Sequence, residues 1–331
     1  MSNAADITPV CCRFPLWVER IEDRPAWPRP SSQPPRQRGD NLAELTLANR
    51  KIIGLIGAGA MGSSIGRLLA ENGLHVLSPL DGRSDASVSR ATEAGMQNAS
   101  YNELLQADLV LSVVPPAQAR QVAEQFASVC ADDQAPIFID ANALSPDTKC
   151  SLEHIICSAG GRFVDGVIIG GPPREGYDGP RLYVSGEHTP AALVLREAGL
   201  DVRKLDGPVG AAAALKMCYG GFNKGITALT TAVLLAARRS GADKALIEEF
   251  AISQKSLLAR SKTSVPRMYP KAYRWIAEFE EVSSFVADDP ASADIFAAIA
   301  HFYADRAKAF EDSLELQDLL TMLDSATEQL G

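Results

Sequence analysis

The chain of 331 residues lacks several features that mark common classes of protein. Its six cysteines show no paired spacing, which argues against a disulfide framework or a zinc ribbon and favours a reducing compartment. Basic residues are outnumbered, because 32 Lys and Arg stand against 41 Asp and Glu, for a formal net charge of −9. This balance disfavours non-specific binding to nucleic acid or to anionic membranes. No apolar run is long and uninterrupted enough to span a bilayer, so we expect a cytoplasmic protein.

Signatures of hydrolytic catalysis and of metal binding are also missing. The chain has four histidines and no Gly-x-Ser-x-Gly nucleophile elbow. Cys150, His154 and Cys157 fall on one face of a predicted helix. Because a structural zinc needs a fourth ligand and usually recruits it from a separate element, we predict no metal site there.

The stretch 51–62 is the most informative part of the chain, because an apolar strand runs into glycines at G-x-G-x-x-G spacing. Gly57 permits a tight turn, Gly59 lets a pyrophosphate approach the backbone, and Gly62 lets the next helix pack closely on the strand. The N-terminus of that helix offers free N–H groups and a positive dipole end to phosphates. The predicted dinucleotide-binding residues are Gly57, Ala58, Gly59, Ala60, Met61 and Gly62.

Strand and helix patterns alternate from this loop to about residue 205, and helical patterns alone follow. This order predicts an α/β fold, with a Rossmann-type doubly wound sheet followed by an all-α domain. One long helix is expected from Val209 to about Ser240, and further helices at 243–262, 268–286 and 291–326. We divide the chain into a disordered Pro-rich extension (1–48), a dinucleotide-binding domain (49–207) and a helical substrate and dimerisation domain (208–331).

Ligands of such folds bind outside the carboxyl ends of the strands. The loops at 57–62, 114–117, 140–145 and 170–174 are therefore expected to converge. Val114 and Pro115 end a buried strand and are predicted to contact the cofactor.

Lys216 is a lone cation in an apolar, alanine-rich stretch. Burial disfavours the charged form, so such a lysine can have a lowered pKa and exchange a proton near neutrality. Periodicity alone favours a lysine whose stem covers apolar surface while its ammonium reaches water.

Four motifs in order resemble the β-hydroxyacid dehydrogenase superfamily, within the group like 6-phosphogluconate dehydrogenase. They are the glycine loop at 57–62, Asp140-Ala141-Asn142, the segment from Asp165 to Gly170-Gly171, and the glycine-rich lead into Lys216-Met217. The resemblance covers about 51–312. It implies a hydride exchanged between a nicotinamide cofactor and a small hydroxy or carbonyl compound.

The resemblance assigns roles to individual residues. Lys216 would donate or accept the hydroxyl proton, and the backbone N–H groups of Gly170 and Gly171 would hold the substrate carboxylate. Asn142 would contact the substrate. The family often has serine at Ile169 and asparagine at Gly220, and 6-phosphogluconate dehydrogenase has glutamate at Asn223. These departures predict a substrate other than 6-phosphogluconate, with Asn223 supplying an amide in place of the missing asparagine.

Cofactor choice rests on the turn after the second strand. Asp81 could accept hydrogen bonds from a ribose 2′-OH and favour NAD, whereas Arg83 and Ser84 could bind a 2′-phosphate. Because the Gly-Arg-Ser cluster resembles the Asn-Arg-Ser/Thr of NADP-using relatives, NADP is favoured and NAD stays possible.

The segment 265–275 with Glu278 looks like the hallmark of a subgroup whose C-terminal domain has a poorly defined function. Its basic cluster, Arg267, Lys271 and Arg274 beside Trp275, is either a solvated helix face or a contact for a substrate anion or a second subunit. The resemblance also implies a homodimer. An imine reductase and a non-catalytic dinucleotide-binding protein are the alternative functions.

Overall fold

The computed structural model describes residues 51–130, 135–177, 179–310 and 314–325. The predicted extension at 1–48 lies outside them. The described strands are β1 (Ile52–Ile56), β2 (His75–Ser78), β3 (Gln97–Asn98), β4 (Leu109–Ser112), β5 (Ile137–Asp140), β6 (Arg162–Ile169), β7 (Arg181–Ser185) and β8 (Asp201–Lys204). The helices are α1 (Ala60–Glu71), α2 (Asp85–Glu93), α3 (Ala119–Ala127), α4 (Pro146–Ser158), α5 (Leu193–Glu197), α6 (Ala211–Arg239), α7 (Asp243–Ser253), α8 (Lys255–Met268), α9 (Ala272–Phe285), α10 (Pro290–Ala309) and α11 (Leu314–Ser325).

The strands form one sheet in the order β3-β2-β1-β4-β5-β6-β7-β8. All neighbouring pairs are parallel except β6 and β7. The predicted fold class, a mostly parallel Rossmann-type sheet followed by a helical region, is confirmed. The sequence pattern missed β3, because a strand of two exposed residues is too short to show a period.

Strand residues alternate between two hydrophobic cores, one on each face of the sheet. Leu109, Leu111 and Ile139 belong to one core, whereas Val110 and Phe138 belong to the other. This alternation follows from the two-residue period of a strand, and burial on both faces explains the continuous apolar runs in the sequence.

The carboxyl ends of β1, β4, β5 and β6 meet at one edge, because these four strands are adjacent and parallel. Sequential order reverses between β1 and β4, which is where doubly wound sheets open a ligand crevice. The loops after these four strands carry most of the residues that the sequence singled out.

The helical region begins with α6, a helix of 29 residues, and has a core of its own. The helix predicted at 243–262 is wrong in extent, since Gln254 leaves the helical conformation (φ −135°, ψ 40°) between α7 and α8. Ile247, Ala251 and Leu258 are buried on both sides of this break, so the apolar period gave no sign of it. The predicted helix at 291–326 is likewise two helices, α10 and α11.

Among the described residues, no helix is both long and apolar enough to cross a membrane. Nor does the described part of the chain bring together three His, Cys, Asp or Glu side chains that could hold a metal ion.

Candidate active site

The glycine loop joins β1 to α1 and uses its three glycines differently. Gly57 has a positive φ of 117°, and a Cβ there would clash with the carbonyl oxygen of Val113. A Cβ on Gly62 would clash with the carbonyl oxygen of Gly57. A Cβ on Gly59, in contrast, would meet no protein atom within 4 Å. Packing therefore explains Gly57 and Gly62, whereas the open space at Gly59 fits the close approach of a ligand.

The N-terminus of α1 is free to bind an anion. Gly59 is its N-cap, no side chain caps it, and its first turn contains no acidic residue. Unsatisfied N–H groups and the helix dipole favour negative charge at such an end. The loop thus fits the pyrophosphate of a dinucleotide cofactor.

A polar turn after β2 lies where the adenosine end of such a cofactor would bind. A cavity of about 300 Å³ is lined there by Asp81, Arg83, Tyr101 and Gln118, among others. Arg83 reaches toward Gln118, with Nη1 3.4 Å from Oε1, and Ser84 occupies the N-cap position of α2 without a capping hydrogen bond from its side chain. The carboxylate of Asp81 accepts a hydrogen bond from Asn98 at 3.0 Å.

The guanidinium of Arg90 lies near the glycine loop, and the sequence gave no sign of this proximity. Its Nε donates to the carbonyl oxygen of Ala58 at 3.1 Å, and its Nη2 donates to Ser87 Oγ at 2.9 Å. On α2 it looks like any exposed helical arginine, so only the folded chain shows its proximity to the loop.

Asn142 links the loops after β4 and β5. Its Oδ1 accepts from the N–H of Val114 at 2.7 Å, and its Nδ2 donates to Ser112 Oγ (3.1 Å) and Asp140 Oδ2 (2.6 Å). Both ends of this buried amide are engaged with protein, and they fix the backbone that leads to Pro115. A direct contact of Asn142 with the substrate stays a prediction.

The diglycine, Gly170-Gly171, follows β6 and lies next to the hydroxyl of Tyr177. Gly170 has a φ of 122°, and a Cβ there would clash with the hydroxyl of Tyr177. The N–H of Gly171 donates to that hydroxyl at 3.1 Å, and the guanidinium of Arg174 lies 5.3 Å from the centre of the tyrosine ring. Tyr177 is a loop residue with no periodic signal, so the sequence gave no reason to select it.

Lys216 approaches this same strand end from α6. Its Nζ donates a hydrogen bond to the carbonyl oxygen of Ile168 at 2.7 Å. The side chain is partly buried, and this burial lowers the pKa of its ammonium below the ordinary value. The structure therefore brings Lys216 and the diglycine together, two features that lie far apart in the sequence.

A buried carboxylate fixes the start of α6. Asp165 Oδ2 accepts hydrogen bonds from the N–H groups of Gly210 (3.0 Å) and Ala213 (3.1 Å) and from Ser185 Oγ (3.1 Å). Ser185 Oγ in turn accepts from the N–H of Ala212 at 3.0 Å. Because a carboxylate at a helix N-terminus satisfies its free donors and complements its dipole, Asp165 holds the turn that precedes Lys216.

Lys149 forms ion pairs with both carboxylates beneath this turn, those of Asp140 and Asp165. Its ammonium lies 2.5 Å from Asp140 Oδ1 and 3.3 Å from Asp165 Oδ1, and all three side chains are fully buried. It also donates to the carbonyl oxygens of Asp140 and Gly166, at 2.7 and 2.8 Å. Sequence reasoning selected both aspartates but missed this lysine.

Asn223 lies two turns beyond Lys216 on α6. Its Oδ1 accepts from Arg260 Nη2 at 2.8 Å, and its Nδ2 donates to the carbonyl oxygen of Tyr219 at 2.8 Å. The contact with Arg260 ties α6 to α8, whereas the contact with Tyr219 lies within α6. The predicted role of Asn223 as a substrate amide is still a prediction.

Two protein families match separate parts of the chain. Residues 52–143 match the family described as NADP oxidoreductase coenzyme F420-dependent. Residues 237–305 match a domain of unknown function, DUF1932, which includes the basic segment beside Trp275.

Two curated proteins illustrate the relationship. An uncharacterised 28.5 kDa protein from Methanothermus fervidus is 26% identical over 237 residues, which cover 71% of this chain and 90% of that protein. The mitochondrial 3-hydroxyisobutyrate dehydrogenase of Drosophila melanogaster is 31% identical over 131 residues, which cover 39% of this chain and 40% of that enzyme.

Solved structures extend the similarity. A conserved protein of unknown function, described as structurally similar to 3-hydroxyacid dehydrogenases, superimposes with a TM-score of 0.66 at 26% identity over 77% of this chain and 97% of its own. A Mycobacterium tuberculosis 3-hydroxyisobutyrate dehydrogenase shares the fold with a TM-score of 0.60 at 17% identity, over 78% of this chain and 94% of that one. A Streptomyces aurantiacus imine reductase shares it with a TM-score of 0.50 at 16% identity, over 78% and 95%. The chain therefore has a 3-hydroxyacid dehydrogenase-like fold, of the kind that binds NAD(P), and part of its helical C-terminal region matches DUF1932.

Proposed function

We propose that the protein is an NADP-dependent oxidoreductase that interconverts a small hydroxy acid and its carbonyl form. The observation that carries this proposal is the placement of Lys216 beside the diglycine, with its Nζ on the carbonyl oxygen of Ile168. A proton-exchanging amine, the N–H of Gly170 and a tyrosine hydroxyl held by the N–H of Gly171 then share one strand end. This pairing is what a hydroxy-acid substrate requires.

Different residues would bind the substrate, transfer the proton and position the lysine. The N–H of Gly170 and the hydroxyl of Tyr177, which the N–H of Gly171 holds in place, bind and orient the substrate carboxylate. Lys216 donates its proton to the carbonyl oxygen during reduction and takes it back from the hydroxyl during oxidation. Its lowered pKa makes this exchange easier than for an exposed lysine. Asp165 keeps Lys216 in position through the first turn of α6.

The glycine loop and Arg83 would hold the cofactor, whose nicotinamide supplies or accepts the hydride. NADP is the cofactor we propose, because Arg83 and Ser84 can bind a 2′-phosphate. Asp81, the residue that would favour NAD, already has its carboxylate in a hydrogen bond with Asn98.

We also propose a homodimer. Large apolar side chains of α6 lie more than a third exposed along its outer surface, namely Tyr219, Phe222, Leu229 and Val233. An apolar stripe of this length on a soluble domain is typical of a protein interface. Multi-angle light scattering at micromolar concentration tests this: about twice the 35.3 kDa of one chain is expected, and a monomer would contradict the proposal.

The catalytic proposal is tested by a screen that varies both the cofactor and the substrate. NADPH and NADH are offered with β-hydroxy acids, the corresponding oxo acids and aldehydes, and cyclic imines, and absorbance of the reduced cofactor is followed. Turnover of an acid pair with NADPH preferred is the expected result. Turnover of imines alone would identify an imine reductase. Tight NADPH binding without turnover of any compound would favour a non-catalytic dinucleotide-binding protein.

A further inference from the structure

A row of buried polar contacts runs beneath the site and connects two segments that the proposed function uses together. Asn142 accepts the N–H of Val114 through Oδ1 (2.7 Å) and donates through Nδ2 to Asp140 Oδ2 (2.6 Å). Lys149 then joins Asp140 to Asp165, which binds the first turn of α6. We call these four residues the buried link: Asn142, Asp140, Lys149 and Asp165. One end of it fixes the loop predicted to contact the cofactor, and the other end fixes the helix that carries the proposed proton donor.

Lys149 is the centre of the buried link. An ammonium has three N–H donors, and here they go to the carbonyl oxygen and Oδ1 of Asp140 (2.7 and 2.5 Å) and to the carbonyl oxygen of Gly166 (2.8 Å). Asp165 Oδ1 lies 3.3 Å from the same nitrogen and accepts no hydrogen bond from the described residues. The lysine therefore holds β5 by two hydrogen bonds, and it holds β6 by one hydrogen bond and an ion pair.

Stability alone does not account for this arrangement of charged side chains. Lys149, Asp140 and Asp165 are fully buried, and taking such groups out of water carries a desolvation cost that well-packed apolar side chains would avoid. Two carboxylates also share one ammonium, so Asp165 depends in addition on the N–H groups of Gly210 and Ala213. A fully connected polar network instead fixes one arrangement of the segments that it joins, because each of its contacts is directional.

We propose that Lys149 is a positioning residue that fixes Lys216 relative to the loop after β4. It acts through Asp165, whose Oδ2 binds the N–H of Ala213 three residues before Lys216, and through Asp140, which orients the amide below that loop. A proton from the lysine and a hydride from the nicotinamide must reach one substrate, so a small misplacement of either group slows the reaction. The inference rests on the proposed function, since it concerns the geometry of that same site.

Hydrogen exchange tests the buried link without any substrate. The backbone amides of 210–213 are followed by mass spectrometry in the full-length protein. Asn142→Ala removes the far end of the link, where the side chain contacts Val114, Ser112 and Asp140. We expect exchange at 210–213 to become at least about fivefold faster, because an unrestrained Asp140 lets α6 open locally. Added to Lys149→Met/Asp140→Asn, in which the link is already cut, Asn142→Ala should change the exchange rate less than about twofold.

Phe138→Leu is the matched control for a general loss of stability. Phe138 is buried on β5, the strand that carries Asp140, and its ring packs against Phe126 and Phe163. Loss of the ring should lower the free energy of unfolding without touching the buried link. Exchange at 210–213 should then stay within about twofold of the wild type. The comparison of Asn142→Ala with Phe138→Leu decides between a specific link and general loosening even where the double variant does not fold.

Kinetics separate positioning from folding once a substrate is known. Lys149→Met/Asp140→Asn should lower kcat at least about tenfold and leave the KM of the substrate and the dissociation constant for NADPH within about threefold. In a Lys216→Met background the same two substitutions should lower the residual kcat less than about twofold, because a positioning residue has no effect once the group it positions is gone. A lysine needed only for folding would lower the amount of folded protein and leave kcat per folded molecule unchanged.

Two results would overturn the role of Lys149. One is exchange at 210–213 that Asn142→Ala leaves unchanged, or that Phe138→Leu accelerates as much. The other is a folded Lys149→Met/Asp140→Asn variant that keeps the wild-type kcat, or that loses kcat equally with and without Lys216. Failure of the proposed function looks different, because Asn142→Ala would still speed exchange at 210–213 while no hydroxy acid was turned over.

Discussion

The ammonium of Lys216 donates a hydrogen bond to the carbonyl oxygen of Ile168 at 2.7 Å. This contact joins the first long helix of the helical region to the strand that leads into the diglycine. The proposed proton-exchanging group and the proposed carboxylate-binding backbone therefore come from different parts of the fold. Their relative position depends on Asp165, which binds the backbone N–H groups just before Lys216.

Gly59→Ala should abolish cofactor binding without harming the fold. The added methyl group would meet no protein atom within 4 Å, but it would occupy the space that a pyrophosphate needs. We expect the thermal midpoint to change by less than about 2 °C, while the dissociation constant for NADPH, measured by fluorescence titration, rises at least about 100-fold.

Gly57→Ala is the matched control for that experiment. Its methyl group would clash with the carbonyl oxygen of Val113 and require a strained φ. The free energy of unfolding should therefore fall by about 2 kcal/mol or more. If Gly59→Ala bound NADPH as the wild type does, the glycine loop would not be the cofactor site.

Arg83→Ala should shift the cofactor preference. The 2′-phosphate distinguishes NADPH from NADH, and a charge-assisted hydrogen bond is worth about 1.5–3 kcal/mol. We expect the dissociation constant for NADPH to rise about 10- to 100-fold and that for NADH to change little. Isothermal titration of both cofactors checks this, with Arg120→Ala as a control at an exposed arginine. An unchanged preference for NADPH over NADH would contradict the proposal that Arg83 binds the 2′-phosphate.

Lys149→Met should destabilise the protein strongly, because it leaves Asp140 and Asp165 buried without their cation. Breaking a buried pair by removing one partner typically costs about 3–5 kcal/mol. Adding Asp140→Asn to this variant removes one of the stranded charges and should restore part of the loss. Urea denaturation gives both free energies of unfolding, and a loss below about 1 kcal/mol would show that the network contributes little.

Tyr177→Phe tests the hydroxyl that lies over the diglycine. This hydroxyl accepts from the N–H of Gly171, so its own proton is free to be donated to a substrate carboxylate. The variant should raise the KM of the substrate about tenfold, as expected for a hydrogen bond to a charged group, and leave kcat within about twofold. A large fall in kcat with an unchanged KM would instead assign Tyr177 to the chemical step.

Local patterns were sufficient to predict most of the sheet and the glycine loop and to single out Lys216, whose role in the site rests on the family resemblance and stays a prediction. Gly57 and Lys216 are informative because the signal lies in their immediate neighbours in the sequence. Lys149 could not be found in this way, since its partners Asp140 and Asp165 are on two different strands and the contact exists only in the folded sheet. The break at Gln254 was missed because the buried positions keep a helical period across it.

The pH dependence of kcat should follow the protonation state of Lys216. Burial lowers the pKa of this ammonium below its ordinary value of 10.5. Reduction needs the protonated form, so its kcat should fall as pH rises through that pKa, whereas oxidation needs the neutral form and should gain rate over the same range. Identical profiles in both directions would argue against Lys216 as the proton donor.

The most direct measurement compares the wild type with Lys216→Met and Lys216→Arg, once the screen has found a substrate. NADPH oxidation is followed at saturating substrate, and the dissociation constant for NADPH is measured for all three proteins. We predict that kcat falls at least about 100-fold in both variants, since proton transfer contributes about 10²–10⁴-fold, while NADPH binding stays within about twofold. A Lys216→Met variant that binds NADPH and keeps wild-type kcat would contradict the assignment of Lys216 as the acid and base of the reaction.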